Sequence, residues 1–156
     1  MRKPILISTA ILLCLGACVP GHNDYSRFQN IPDTGWRYND TITFIPETKD
    51  SISSGLLTLA LRHSNDYLYS NLWVEVSYLT ESGQKADTMN IALADIYGHW
   101  YGKGLGTSFQ IQDTVSTSYR MVKGSPIKVR HIMRTDTLHD IEQVGIIFIS
   151  SDNTNR

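Results

Sequence analysis

The sequence predicts an all-β fold, an antiparallel β-sandwich of the jelly-roll or immunoglobulin-like type with about seven or eight strands. Three observations lead to this fold class. From Trp36 onward apolar residues recur with a period close to two, turn residues interrupt the pattern at short intervals, and no segment keeps the period of a long helix. Strands that bury one face show this alternation, and many such strands bury their apolar faces by stacking as two sheets.

The predicted strands follow one another along the chain from residue 41. The first strand covers 41–45 and ends at Pro46, because proline has no N–H to donate to a β-ladder. The remaining strands are marked by these apolar positions: Leu57, Leu59 and Leu61; Leu72, Val74, Val76 and Tyr78; Met89, Ile91 and Leu93; Phe109 and Ile111 in a shorter strand; Ile127, Val129, His131 and Met133; and finally 144–149. The last segment is apolar almost throughout, which indicates a central strand.

Clusters of turn-forming residues separate these strands. Glycine, proline, asparagine, aspartate and serine favour turns, and such residues are concentrated at 46–50, 63–66, 81–84, 123–126 and 136–140. The only helical structure that the pattern allows is a single turn over 137–142.

The first 17 residues have the form of a signal peptide. Arg2 and Lys3 precede an apolar stretch of 5–15, which is shorter than the roughly 20 residues needed to span a bilayer. The stretch ends in Leu15-Gly16-Ala17-Cys18, the aliphatic–small–small–cysteine pattern of a lipobox. It predicts diacylglyceryl transfer to the Cys18 thiol and cleavage before that residue. The alternative is an ordinary secretory signal cut after Ala17, which leaves Cys18 free.

These features define the predicted organisation of the mature chain. Residues 18–30 comprise the lipidated cysteine and a polar tether, and 31–152 form one β-sandwich domain. The other cysteine, Cys14, lies in the discarded segment, so the mature fold has no disulfide and depends on its core. Loss of Arg2 and Lys3 leaves 12 basic and 15 acidic residues, a net charge of −3 that does not favour nucleic-acid binding.

A glycine-rich aromatic segment at 97–106 is the first candidate binding site. One interpretation places Trp100 as a plug at the end of the sandwich, with the glycines turning the chain. The other makes Tyr97, Trp100 and Tyr101 a stacking platform for a sugar or a protein partner. A phosphate-binding loop is excluded, because Gly-Lys at 102–103 is followed by glycine rather than serine or threonine.

A basic strand is the second candidate. Residues 119–134 carry five cations and no acidic residue, and Lys128, Arg130 and Arg134 fall on the face opposite Ile127 and Val129. Such a face suits anionic headgroups or an acidic partner. The alternative is a solvated strand face whose charges prevent edge-to-edge pairing.

Catalytic and metal-binding patterns are absent from the sequence. The five histidines, at 22, 63, 99, 131 and 139, show none of the short spacings of a metal site, and no Gly-x-Ser-x-Gly motif occurs. The predicted mature chain also lacks a cysteine nucleophile, since Cys18 carries lipid. We therefore predict no metal, no cofactor and no enzymatic activity.

Three stretches identify a resemblance. They are Arg62 with 67–73 (Tyr-Leu-Tyr-Ser-Asn-Leu-Trp), then 98–104 (Gly-His-Trp-Tyr-Gly-Lys-Gly), then 131–134 (His-Ile-Met-Arg) with 138–141 (Leu-His-Asp-Ile) and 144–145 (Val-Gly). Their order, after a lipobox, resembles the gliding-motility lipoprotein GldH family of the Bacteroidetes. One departure is Leu68, which stands where the family pattern has proline.

The resemblance implies a cell-envelope lipoprotein associated with gliding motility and, through neighbouring components, with the type IX secretion machinery. It implies no catalytic activity. By resemblance to other lipoproteins, with Val19 and no acidic run after Cys18, the expected location is the outer membrane with the domain facing the periplasm. Two functions remain open: an interaction or structural lipoprotein that contacts other envelope proteins, and a glycan-binding sandwich that uses Trp100 and Tyr101.

Overall fold

A computed structural model describes residues 23–151, in which eleven strands and no α-helix occur. In chain order the strands are β1 (Tyr25–Asn30), β2 (Trp36–Arg37), β3 (Ile42–Phe44), β4 (Ile52–Ser64), β5 (Asn71–Thr80), β6 (Gly83–Ala92), β7 (Lys103–Leu105), β8 (Ser108–Val122), β9 (Ile127–His131), β10 (Thr137–Leu138) and β11 (Ile141–Ser150). The predicted signal peptide, the lipobox and Cys18 lie outside the described residues.

The strands form two main antiparallel sheets. The larger sheet has the order β1-β11-β4-β8-β7, the smaller has the order β3-β9-β5-β6, and β2 pairs separately with β10. The prediction of an all-β antiparallel sandwich is confirmed. The described strands outnumber the predicted seven or eight because β2, β7 and β10 are too short to show an alternating pattern, and because β1 lies in the predicted tether.

A single apolar core holds the sandwich together. The alternating positions that predicted the strands supply most of it, and Leu59, Val74, Val129 and Ile146 are all fully buried. Full burial of a side chain of this size contributes about 1.5–3 kcal/mol. The core therefore accounts for the fold without a disulfide among the described residues.

Three local predictions are wrong. Residues 25–30 do not belong to a tether, because they pair as β1 with residues 143–148 of β11. Residues 137–142 form no helical turn: β10 pairs with β2, and β11 begins at 141. The strand at 109–111 is not short, because β8 runs for 15 residues; two irregularities in its pairing with β4 break the alternation beyond residue 113.

The sandwich has two distinct ends. At the N-terminal end, the Asn23 amide donates to Asp50 at 2.6 Å and the backbone N–H of Ser150 donates to Asp24 at 2.8 Å. The β4–β5 loop (65–70) and the β6–β7 loop (93–102) lie at the opposite end, which we call the far end. Strand β4 connects the two ends with 13 residues, a length of about 40 Å.

Candidate functional site

A rigid hairpin projects from the far end. In the β6–β7 loop, Ala94 and Trp100 form a β-bridge, and the backbone N–H of Asp95 donates to the carbonyl of His99 at 2.9 Å. The Asp95 carboxylate accepts from the backbone N–H groups of Tyr97 and His99 at 2.8 and 2.9 Å. The His99 side chain and these backbone groups hold the pKa of Asp95 below its ordinary value. The loop conformation is thus fixed by its own hydrogen bonds.

This hairpin presents large apolar side chains to solvent. Ile96 is 90% exposed and Tyr97 79% exposed, while Leu68 on the adjacent β4–β5 loop is 83% exposed. The two loops are joined, because the carbonyl of Ser70 accepts from the N–H groups of Leu93 and Ala94. We call Leu68, Ile96 and Tyr97 the far-end patch. Exposed apolar groups on a rigid support are typical of interaction surfaces.

Trp100 and Tyr101 differ in environment. The Trp100 ring is half-buried, packs edge-on against His63 at 4.6 Å and donates through Nε1 to Asn65 at 3.0 Å. Tyr101 is 46% exposed. The geometry of Trp100 is that of a plug at the end of the sandwich rather than half of a flat aromatic platform.

Next to the far-end patch lies an aromatic cleft of about 570 Å³. Its lining consists of Tyr69, Trp73, Thr88, Ile132, Met133 and Arg134. Trp73 points to the polar face of β5, because Leu72 and Val74 on either side are buried. Tryptophan, tyrosine and arginine dominate the energetics of protein interfaces. Trp73 was not among the predicted binding residues, although a tryptophan on the polar face of an alternating strand is a signal visible in the sequence.

The basic strand is only partly available for binding. Lys128 and Arg130 lie on the face of β9 opposite buried Ile127 and Val129. The prediction that Arg134 lies on the same strand face is wrong, because β9 ends at His131; Arg134 is exposed beyond the end of the strand. Arg130, however, forms two hydrogen bonds with Glu75 of β5, at 2.9 and 3.2 Å. These bonds lower the pKa of the Glu75 carboxyl and raise that of Arg130. Among the described residues, Lys128 and Arg134 remain without such an ion pair.

Two buried histidines lie within the core. His63 Nδ1–H donates to the carbonyl of Ser64 at 2.9 Å, and His131 packs edge-on against Trp36 and Tyr38. Burial lowers the pKa of both imidazoles below the ordinary value of 6.5. No group of three or more potential metal-ligating side chains occurs among residues 23–151.

The fold and these surfaces define an antiparallel β-sandwich protein that presents apolar, aromatic and basic surfaces to its surroundings. The family model of the GldH lipoprotein matches residues 23–147, and the chain belongs to this family. Among curated proteins, none matches it. Within the described part of the chain, no helix has the length and apolar character needed to cross a membrane.

Proposed function

We propose that this chain is an outer-membrane lipoprotein, anchored through Cys18 and facing the periplasm, which acts without catalysis as an interaction or structural component associated with gliding motility and type IX secretion. Family membership and the lipobox at 15–18 support the anchor and the envelope location. Among the surfaces of the described residues, we assign partner binding to the far-end patch.

The far-end patch lies at the end of the sandwich opposite the chain's N-terminal end. Cys18 precedes Asn23 by five residues, which reach at most about 17 Å when extended. The anchor is therefore close to the N-terminal end of the sandwich, while the patch lies about 40 Å away along β4. This arrangement presents Ile96 and Tyr97 to a protein that lies farther from the membrane than the anchor.

A photoreactive amino acid at position 97 tests this proposal in living cells. We expect a covalent adduct with one envelope protein, and we expect Ile96→Ser to reduce its yield about tenfold, since a central apolar contact contributes about 1.4 kcal/mol or more. The control position is Thr114, which is exposed on β8 away from the patch and should give no such adduct. Adducts with lipid alone, or equal yields at positions 97 and 114, would contradict docking at the far end.

The basic strand offers a second contact with the same partner. The double variant Lys128→Glu/Arg134→Glu should retain the fold, because both side chains point away from the core, but should lower adduct yield at position 97. Each exposed charge contributes about 0–1 kcal/mol, and wild-type yield should fall as salt rises, since the Debye length is about 8 Å at physiological ionic strength.

Lys123→Glu is the matched control, because Lys123 is exposed in the turn between β8 and β9 at the N-terminal end. If the double variant and this control give the wild-type yield at every salt concentration, the basic strand is solvated surface. The far-end patch then provides the contact alone.

The alternative function, glycan binding through Trp100 and Tyr101, receives less support. A saccharide platform needs an accessible ring face, whereas the Trp100 ring is half-buried against His63 and held by Asn65. Saccharide recognition is better supported at a different place on the sandwich.

A further inference from the structure

A row of polar side chains crosses the entire width of the five-stranded sheet. The register pairs Asn30 with Gln143, Gln143 with Arg62, Arg62 with Gln110, and Gln110 with Lys103. Residues paired in register lie on the same side of a sheet. This row spans four strand spacings, a width of about 19 Å. We call these five residues the polar row.

The polar row lies on the outer side of the sheet, away from the core. Its neighbours along the strands, Leu61 of β4 and Val144 of β11, are buried on the inner side. Two hydrogen bonds order the row: the Gln143 amide donates to Asn30 at 2.8 Å, and the Arg62 guanidinium donates to Gln110 at 3.1 Å. The amides and cations are thus held in place before any ligand binds.

Arg62 is the central group of the row. It is half-buried, lines a groove of about 670 Å³ together with Lys103 and Gln110, and forms no ion pair with a carboxylate of the described residues. Gly102 lets the chain approach β8 closely at this groove, because a Cβ at that position would lie 2.2 Å from the Gln110 carbonyl oxygen. A guanidinium has a planar fork of donors that matches carboxylate and phosphate oxygens. The groove is therefore suited to an oxyanion.

One aromatic ring, that of Phe28, lies beside the polar row. Phe28 pairs with Gly145, which pairs with Ala60. The Phe28 ring lies directly over Gly145: a Cβ added to Gly145 would be only 2.2 Å from the ring. The ring is partly exposed. An aromatic ring can pack against the face of a sugar ring, and amide side chains beside it can donate to and accept from sugar hydroxyls.

We propose that the polar row binds an oligosaccharide that carries an oxyanion, either a carboxylate or a phosphate. Arg62 and Lys103 contact the oxyanion, the amides of Asn30, Gln110 and Gln143 contact hydroxyl groups, and Phe28 contacts a ring face. This binding site is separate from the far-end patch, so either proposal can fail without the other.

Calorimetric titration of the full acylated chain in detergent micelles tests the proposal with defined saccharides. The N-acetylglucosamine–N-acetylmuramic acid disaccharide carries a carboxylate, a glucosamine disaccharide bisphosphate carries phosphates, and di-N-acetylglucosamine carries neither. We expect binding of at least one acidic disaccharide about tenfold tighter than binding of the neutral one. The preferred acidic disaccharide identifies the oxyanion.

Substitutions at two arginines test whether the saccharide binds at the polar row. Arg62→Gln should weaken binding of the acidic disaccharide about tenfold and remove the preference over the neutral one. Arg27→Gln is the matched control, because Arg27 is an exposed arginine on β1 that points to the other side of the sheet, and it should bind like wild type. Thermal unfolding shows whether each variant is folded.

Three results would overturn the proposal. These are equal affinities for acidic and neutral disaccharides, no detectable heat with any of them, and a folded Arg62→Gln variant that keeps wild-type affinity. The double variant Ile96→Ser/Tyr97→Ser should bind the saccharide normally, which distinguishes failure of this site from failure of docking at the far end.

Discussion

Replacing Cys18 with alanine should move the protein almost completely from the membrane fraction to the soluble fraction. The thiol of Cys18 is the proposed acyl acceptor, and stable attachment needs at least two acyl chains, which a diacylglyceryl cysteine supplies. The measurement is membrane fractionation with mass determination of the processed chain. Cys14→Ala is the matched control, because it removes the other cysteine and should leave both acylation and fractionation unchanged.

A Cys18→Ala variant that stays in the membrane fraction at the mature size would contradict the lipid anchor. Protease added to intact cells then distinguishes the two sides of the outer membrane for the wild-type protein. A domain that faces the periplasm is protected until the outer membrane is opened, whereas rapid digestion places it on the cell surface.

The sequence predicted those strands whose two faces differ most in environment. In β5, buried Leu72, Val74 and Val76 alternate with partly exposed residues, so the period of two is visible. Strand β1 lacks this pattern, because it is an edge strand in which only Tyr25 is buried. Its pairing with β11 is a contact across more than 110 residues, which local periodicity cannot reveal.

For the candidate sites too, local alternation predicted the direction of a side chain but not its long-range contacts. The outward direction of Lys128 and Arg130 follows from alternation alone, but the ion pair of Arg130 with Glu75 depends on the register of β9 against β5. The polar row depends on the register of five strands at once, and its members are scattered between residues 30 and 143. A local pattern in the sequence cannot predict which residues of five different strands become neighbours across a sheet.

Two buried histidines should make the stability of the fold fall steeply with acidification. His63 and His131 are fully buried, and burial holds the pKa of each below 6.5 in the folded state. Nearby Glu142 favours the protonated form of His63, and Asp40 that of His131, but burial is the larger effect in both cases. Well above pH 6.5 both imidazoles are neutral in the folded and unfolded chains, and their titration leaves stability unchanged. Below it, the unfolded chain binds protons that the folded chain excludes, and the free energy of unfolding decreases.

We expect the free energy of unfolding to fall by at most about 1.4 kcal/mol per pH unit for each histidine as pH decreases from 6.5 toward 5. Denaturant titrations at pH 7.5, 6.5, 5.8 and 5.0 measure this slope, in a range above the ordinary pKa of the carboxyl groups. His63→Phe, which places another ring among Tyr67, Trp100 and Phe109, should remove about half of the slope. His139→Gln is the control, because His139 is exposed, and it should keep the wild-type slope. A wild-type stability that is constant from pH 7.5 to 5.0, or a His63→Phe slope equal to that of wild type, would show that the buried imidazoles accept protons without cost to the fold.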